Sequence, residues 1–217
     1  MTTPQILPRK RPADCRGFTL IEIIVILAVL AILVATLTPV VLKYIADAQL
    51  TRAKNDVTQI ATAFNGVIQD TGQYPGPLAD ADFLCGPGTL ATAGATGWAA
   101  NLVGAKATSC TLTGNTAPAG SSLAGHLIVN NPNEDVTIAG AGDYKSPASG
   151  NRWRGPYVQS LNEDPWGNAY QVNALNFTSS SALPTWVMSA GPDGTFQTSI
   201  TATTIASGSD DIGIRIK

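Results

Sequence analysis

Three patterns of apolar and polar positions succeed one another along the 217 residues. From Phe18 to Leu42 the chain is apolar on every side, with Glu22 as its one charge. About 20 such residues cross a bilayer as a helix, so this run is long enough to span a membrane. Beyond it the apolar positions thin out to Val57, Ile60, Ala61, Phe64, Val67 and Ile68. Their three- and four-residue spacing marks one face of an amphipathic helix. Asp47, Arg52, Lys54, Asn55, Asp56, Gln59 and Asn65 fill the other faces. Gly72 and Tyr74-Pro75-Gly76 end it. A single helix from Phe18 to about Thr71 would run roughly 80 Å. Pro39 lies inside it and cannot donate to the carbonyl of Ala35, which predicts a kink or a weak point there. The third pattern begins near Trp153, where short strands are expected at Ala169–Asn173, at Thr185–Ser189 and over the alternation of Ile212, Ile214 and Ile216. Between helix and strands, residues 86–151 are rich in Gly, Ala, Thr, Ser and Asn and read as long loops, with Leu127-Ile128-Val129 as one short strand candidate. The predicted class is α+β, a long N-terminal helix packed on a small antiparallel sheet.

Charge sharpens the organisation. Only 13% of residues are charged and the net charge is −2, so there is no basic footprint for nucleic acid. Arg9, Lys10, Arg11 and Arg16 precede the apolar run against one acid, Asp14, and would hold the N-terminus in the cytoplasm. The run is longer than a secretory signal's core, so the rest of the chain is expected outside the membrane as an anchored domain. The expected division is residues 1–17 as a leader, 18–42 as a membrane and assembly helix, 43–72 as an amphipathic helix, and 73–217 as a globular domain with a long insertion at about 80–150.

At the junction of leader and apolar run stands Gly17-Phe18-Thr19-Leu20-Ile21-Glu22. This resembles the precursor signature of the type IV pilin superfamily: a basic leader ending in Gly, then Phe, then an apolar helix with Glu fifth. The resemblance implies that a prepilin peptidase cuts after Gly17 and methylates the new N-terminal Phe18. Pro39 matches a proline often found in that helix. A carboxylate in a membrane span is costly, so Glu22 is expected to pair with the Phe18 amine of a neighbouring subunit and set register.

A second set of motifs narrows the resemblance. Gly155-Pro156-Tyr157 is followed by Asp164-Pro165-Trp166-Gly167-Asn168-Ala169-Tyr170. Pro, Gly and a capping Asp predict a tight turn. Together with Asp70-Thr71-Gly72-Gln73-Tyr74-Pro75 and Ser189-Ala190-Gly191-Pro192-Asp193-Gly194, these look like the major pseudopilin of type II secretion systems. That family implies a homo-oligomeric filament, made with other pseudopilins, an inner-membrane platform and a cytoplasmic ATPase, that drives folded proteins across the outer membrane. Localisation would be the inner membrane of a bacterium, single-pass, with a periplasmic domain. A type IV pilus fibre is the alternative, and a membrane-anchored periplasmic enzyme or binding protein a more distant one. Residues 80–150 depart from the family's shorter connection.

Once the leader, with Cys15, is removed, Cys85 and Cys110 remain, an even pair expected to form a disulfide in an oxidising compartment. Asp193, Asp210 and Asp211 suit a hard cation, and the resemblance implies calcium at these acids, although the stretch from Thr195 to Ser209 is longer than in the family. No catalytic constellation stands out, so the chain is expected not to be an enzyme. The one histidine, His126, reads as a loop or surface residue; with three cysteines it gives no common zinc spacing. Asn176-Phe177-Thr178 fits a glycosylation sequon only weakly, and Trp98, Trp153, Trp166 and Trp186 read as core or turn anchors.

Overall fold

The computed structural model describes residues 18–75, 83–93, 98, 122–131, 144 and 152–217. Gly17, Cys110, the leader and much of the insertion lie outside the described residues. The chain divides into two compact units, Met1–Ala46 and Asp47–Lys217.

Helix α1 runs Leu20–Thr71, two residues inside its expected start. Thr19 opens it: both its carbonyl and its Oγ1 accept from the Glu22 N–H, at 3.1 and 3.3 Å. Pro39 sits within the helix. Near it the hydroxyls of Thr36 and Thr38 donate to the carbonyls of Leu33 and Val34, which keeps these polar groups satisfied within the apolar run. Gly72 ends the helix as expected. Its φ of 69° is one that glycine adopts freely, and its N–H donates to the Ile68 carbonyl at 2.8 Å.

In the second unit, four short strands form one antiparallel sheet: β1 (Phe83–Cys85), β3 (Gln171–Asn173), β4 (Trp186–Ser189) and β6 (Ile212–Arg215), in the order β1-β3-β4-β6. Register is set by Leu84 opposite Val172, Val172 opposite Val187 and Val187 opposite Ile214. A second, parallel pair joins β2 (Thr92–Ala93) to β5 (Thr195–Phe196). The three expected strand regions are therefore all present.

Both faces of the sheet are covered. On one face Leu84, Val172, Val187 and Ile212 share a cluster with Ala53, Val57, Ile60, Phe64 and Val67 of α1. On the other, Phe83, Trp186 and Met188 meet Trp98, Phe196 and Ile200. Successive strand residues point to opposite faces, so β4 is buried along its whole length.

Two expectations are corrected. Leu127-Ile128-Val129 is not a strand; Leu127 ends the short helix α2 (Leu123–Leu127), whose Ser122 N-cap accepts from the N–H groups of Ala124 and Gly125, and Ile128 and Val129 follow as a turn. His126, on α2, is fully buried. Its Nδ1 lies 2.6 Å from the Tyr144 hydroxyl, and its ring meets Phe64 of α1.

Candidate functional site

Two places bear on function, one in each unit. In the first, every residue from Phe18 to Ala46 is exposed, including Ile21, Ile24, Leu27, Leu30 and Leu33. Exposed contiguous apolar surface of this extent marks an interaction or membrane surface. Helix α1 is long and apolar enough to cross a membrane. Glu22 lies in its first turn, where the helix dipole favours a carboxylate. Gly17, the first residue of the expected cleavage junction, lies outside the described residues.

The second place is the acidic loop between β4 and β6, built on the Asp164 turn. Asp164 is buried, and its Oδ1 accepts from the N–H groups of Trp166 and Asn168 at 3.0 and 2.7 Å. Gly167 takes a φ of 88°, completing the turn read from the sequence. The other oxygen of Asp164 accepts from the Ser189 hydroxyl at 2.6 Å, and Asn168 Nδ2 donates to the Gly191 carbonyl at 3.1 Å. The Asp-Pro-Trp-Gly-Asn and Ser-Ala-Gly-Pro-Asp-Gly motifs are thus two halves of one docked structure. Gly191 must be glycine-like twice over. Its φ is 68°, and a Cβ would stand 2.3 Å from the Asp210 carbonyl oxygen.

The structure brings Asp193 and Asp210 together across the intervening loop: the Asp193 N–H donates to Asp210 Oδ2 at 3.1 Å. Most of the carboxylate oxygens are engaged by the protein. Asp193 accepts from the Thr195 N–H at 2.8 Å and from Gln197 Nε2 at 2.6 Å. Asp211 Oδ2 accepts from the N–H groups of Gln197 and Thr198 at 3.0 and 2.6 Å, while its buried Oδ1 has no hydrogen-bond partner among the described residues. Burial pushes the Asp211 carboxyl above the usual carboxylate range and the neighbouring Asp210 charge adds to this, against the pull of the Thr198 and Gln197 donors. Among the described residues no group of three or more His, Cys, Asp or Glu side chains could hold a metal ion.

Other residues singled out in the sequence find structural roles. Cys85, in β1, is buried and disulfide-bonded, and Cys110 lies outside the described residues. Asn176 is buried, and its Nδ2 donates to the carbonyls of Pro184 and Ile200, so the glycosylation sequon is sequestered. His126 is held neutral by burial, which pushes its pKa down to about 3. Tyr170 and Tyr157, read in the sequence only as motif residues, tie the strand region to α1: their hydroxyls donate to Asp56 and Asp70, each at 2.8 Å.

Comparison with known proteins finds a match in each unit. Residues 12–38 match the prokaryotic N-terminal methylation motif, and residues 131–208 match protein G of the type II secretion system. Together the two matches are parts found in the type IV pilin superfamily, a prepilin methylation motif followed by a protein G-like domain, and neither match covers half of the chain. The protein G match takes in the Asp164 turn and the acidic loop as far as Gly208, short of Asp210 and Asp211. The chain is also 36% identical, over 92 residues, to the type IV major fimbrial protein FimA of Dichelobacter nodosus. That alignment covers 39% of this chain and 58% of the fimbrial protein's length. No solved structure matches.

Proposed function

We propose that this chain is a structural subunit of a type II secretion pseudopilus, which polymerises through its N-terminal helix to drive export of folded proteins. The observation that carries this reading is the union, in one chain, of a prepilin methylation motif and a protein G domain. A prepilin peptidase cuts between Gly17 and Phe18 and methylates Phe18. The apolar run then leaves the bilayer to pack against copies of itself, and Glu22 meets the amine of a neighbour's Phe18. Other pseudopilins, an inner-membrane platform and a cytoplasmic ATPase complete the machine, and the globular domain stays in the periplasm. The role is structural, not catalytic; in support, the one histidine is sealed in the core against Tyr144.

The test is Glu22→Leu in the native locus. Insertion should continue while filament assembly and secretion are lost. Normal secretion by this variant would overturn the pairing role. A surface pilus is the second reading, favoured by the likeness to a fimbrial protein. Long fibres sheared from cells at native expression would select it.

We further propose that Cys85 pairs with Cys110, closing a loop of 110 − 85 + 1 = 26 residues. On the chain-entropy model this stabilises by about 3.5 kcal/mol. Non-reducing peptide mapping should recover the crosslinked peptides; alkylation of both thiols in the native protein would refute the pair.

A further inference from the structure

The acidic loop invites a divalent cation, because the resembled family places calcium there and calcium takes six to eight oxygens at such loops. Four of the six carboxylate oxygens of its acids are engaged within the chain, while Asp211 Oδ1 is buried without a partner among the described residues. The oxygens of Asp193 and Asp211 Oδ2 accept main-chain and side-chain N–H groups of residues 195–198, and Asp210 Oδ2 accepts the N–H of Asp193. Each N–H accepted commits one lone pair of its carboxylate oxygen, and among the described residues no group of three or more His, Cys, Asp or Glu side chains could hold a metal ion.

Something else closes the loop. Thr198 is fully buried and joins three segments. Its N–H donates to Asp211 Oδ2 at 2.6 Å, its Oγ1 accepts from the Ala206 N–H at 3.1 Å, and its carbonyl accepts from Trp98 Nε1 at 2.7 Å. Trp98 comes from the long Gly/Ala/Thr/Ser-rich insertion. It is fully buried, stacked on Phe196 with centroids 4.7 Å apart and planes 24° apart, and 5.6 Å from the Phe83 ring. The same insertion reaches the loop a second time through the β2–β5 pair, Thr92 opposite Thr195 and Ala93 opposite Phe196. Two stretches depart from the family's lengths, the insertion and the loop from Thr195 to Ser209, and the described residues Thr92, Ala93 and Trp98 of the first pair with or pack on the second. Together they cover the sheet face that carries Phe83, Trp186 and Met188.

We propose that in this chain Trp98 of the insertion, working through Thr198, is the clasp that orders the acidic loop, in place of a divalent cation. A buried aromatic stack and a hydrogen bond to a buried carbonyl supply what an ion otherwise supplies: a fixed link between loop segments far apart in sequence. Asp211 remains necessary as the acceptor for the Gln197 and Thr198 N–H groups.

The experiment is amide hydrogen exchange at Gln197 and Thr198 in the full-length chain, in detergent micelles, with millimolar calcium chloride or with chelator. In the wild type, exchange at both amides should be the same in the two conditions. Trp98→Ala should speed it by tenfold or more, equally with and without calcium. Trp98→Phe keeps the stack and removes the Nε1–H donor; it should speed exchange by roughly fivefold to tenfold, the loss of one hydrogen bond. If Trp98→Ala does not fold, the Trp98→Phe result decides. Unchanged exchange in Trp98→Phe overturns the clasp. So does calcium slowing exchange tenfold in the wild type, or restoring protection in Trp98→Ala.

Discussion

Helix α1 contains two stretches of unlike design. Residues 18–47 are exposed throughout and almost wholly apolar. Residues 53–71 bury Ala53, Val57, Ile60, Ala61, Ala63, Phe64 and Val67 and turn Lys54, Asn55 and Gln59 to solvent. The second stretch finds its partner in its own chain, because the sheet presents Leu84, Val172 and Val187 to it. The first is exposed along its length and presents its apolar surface to lipid or other subunits. The amphipathic stripe therefore encodes folding, and the uniformly apolar stretch encodes assembly.

The difference can be broken most strongly at Phe64, which is fully buried and contacts Phe177 and His126 edge-on or tilted. Phe64→Ala should cost about 3–5 kcal/mol in chemical denaturation of the globular domain. Asp164→Ala should cost about 2–4 kcal/mol, since three donors of the turn lose their acceptor.

A third probe is pH. Folding holds His126 neutral down to about pH 3, against an ordinary value of 6.5. Below pH 6.5 the unfolded chain takes up a proton that the folded chain refuses. The stability contribution is therefore complete above 6.5 and is lost as pH falls toward 3, by up to about 1.4 kcal/mol per pH unit. Denaturation between pH 7 and 5 should show this slope, and His126→Leu should flatten it. A slope unchanged in the variant would assign it to other groups.

Smaller effects sharpen the contrast. Tyr170→Phe removes the hydrogen bond to Asp56 and should cost about 1 kcal/mol. Leu30→Ala, in the exposed stretch, should change domain stability by less than about 0.5 kcal/mol while weakening filament yield. A large loss of domain stability in Leu30→Ala would erase the distinction between the two stretches.

Much of this was legible from local chemistry. The 3.6-residue stripe, Gly72 and the Asp-Pro-Trp-Gly-Asn turn each depend on neighbours close in sequence, and each stands where it was expected. Ile212 and Ile214 alternate with smaller or polar residues and were readable as strand. What escaped depends on distant partners. His126 carries no local sign of burial; only Tyr144 and Phe64 make its pocket. Leu127-Ile128-Val129 has the composition of a strand, yet Ser122 caps a helix just before it. Trp98 lies in a stretch without periodicity, so nothing nearby showed that it would stack on Phe196, nearly a hundred residues away. The acids at 193, 210 and 211 were legible as a group, but their donors at Thr195, Gln197 and Thr198 were not.

The central claim is that the uniformly apolar stretch is an assembly surface released by processing at Gly17. Intact mass and N-terminal analysis of the protein in the membrane fraction tests it most directly. The mature chain should have 217 − 17 = 200 residues and begin with N-methylated Phe18. A mature protein that retains residues 9–17 would contradict it.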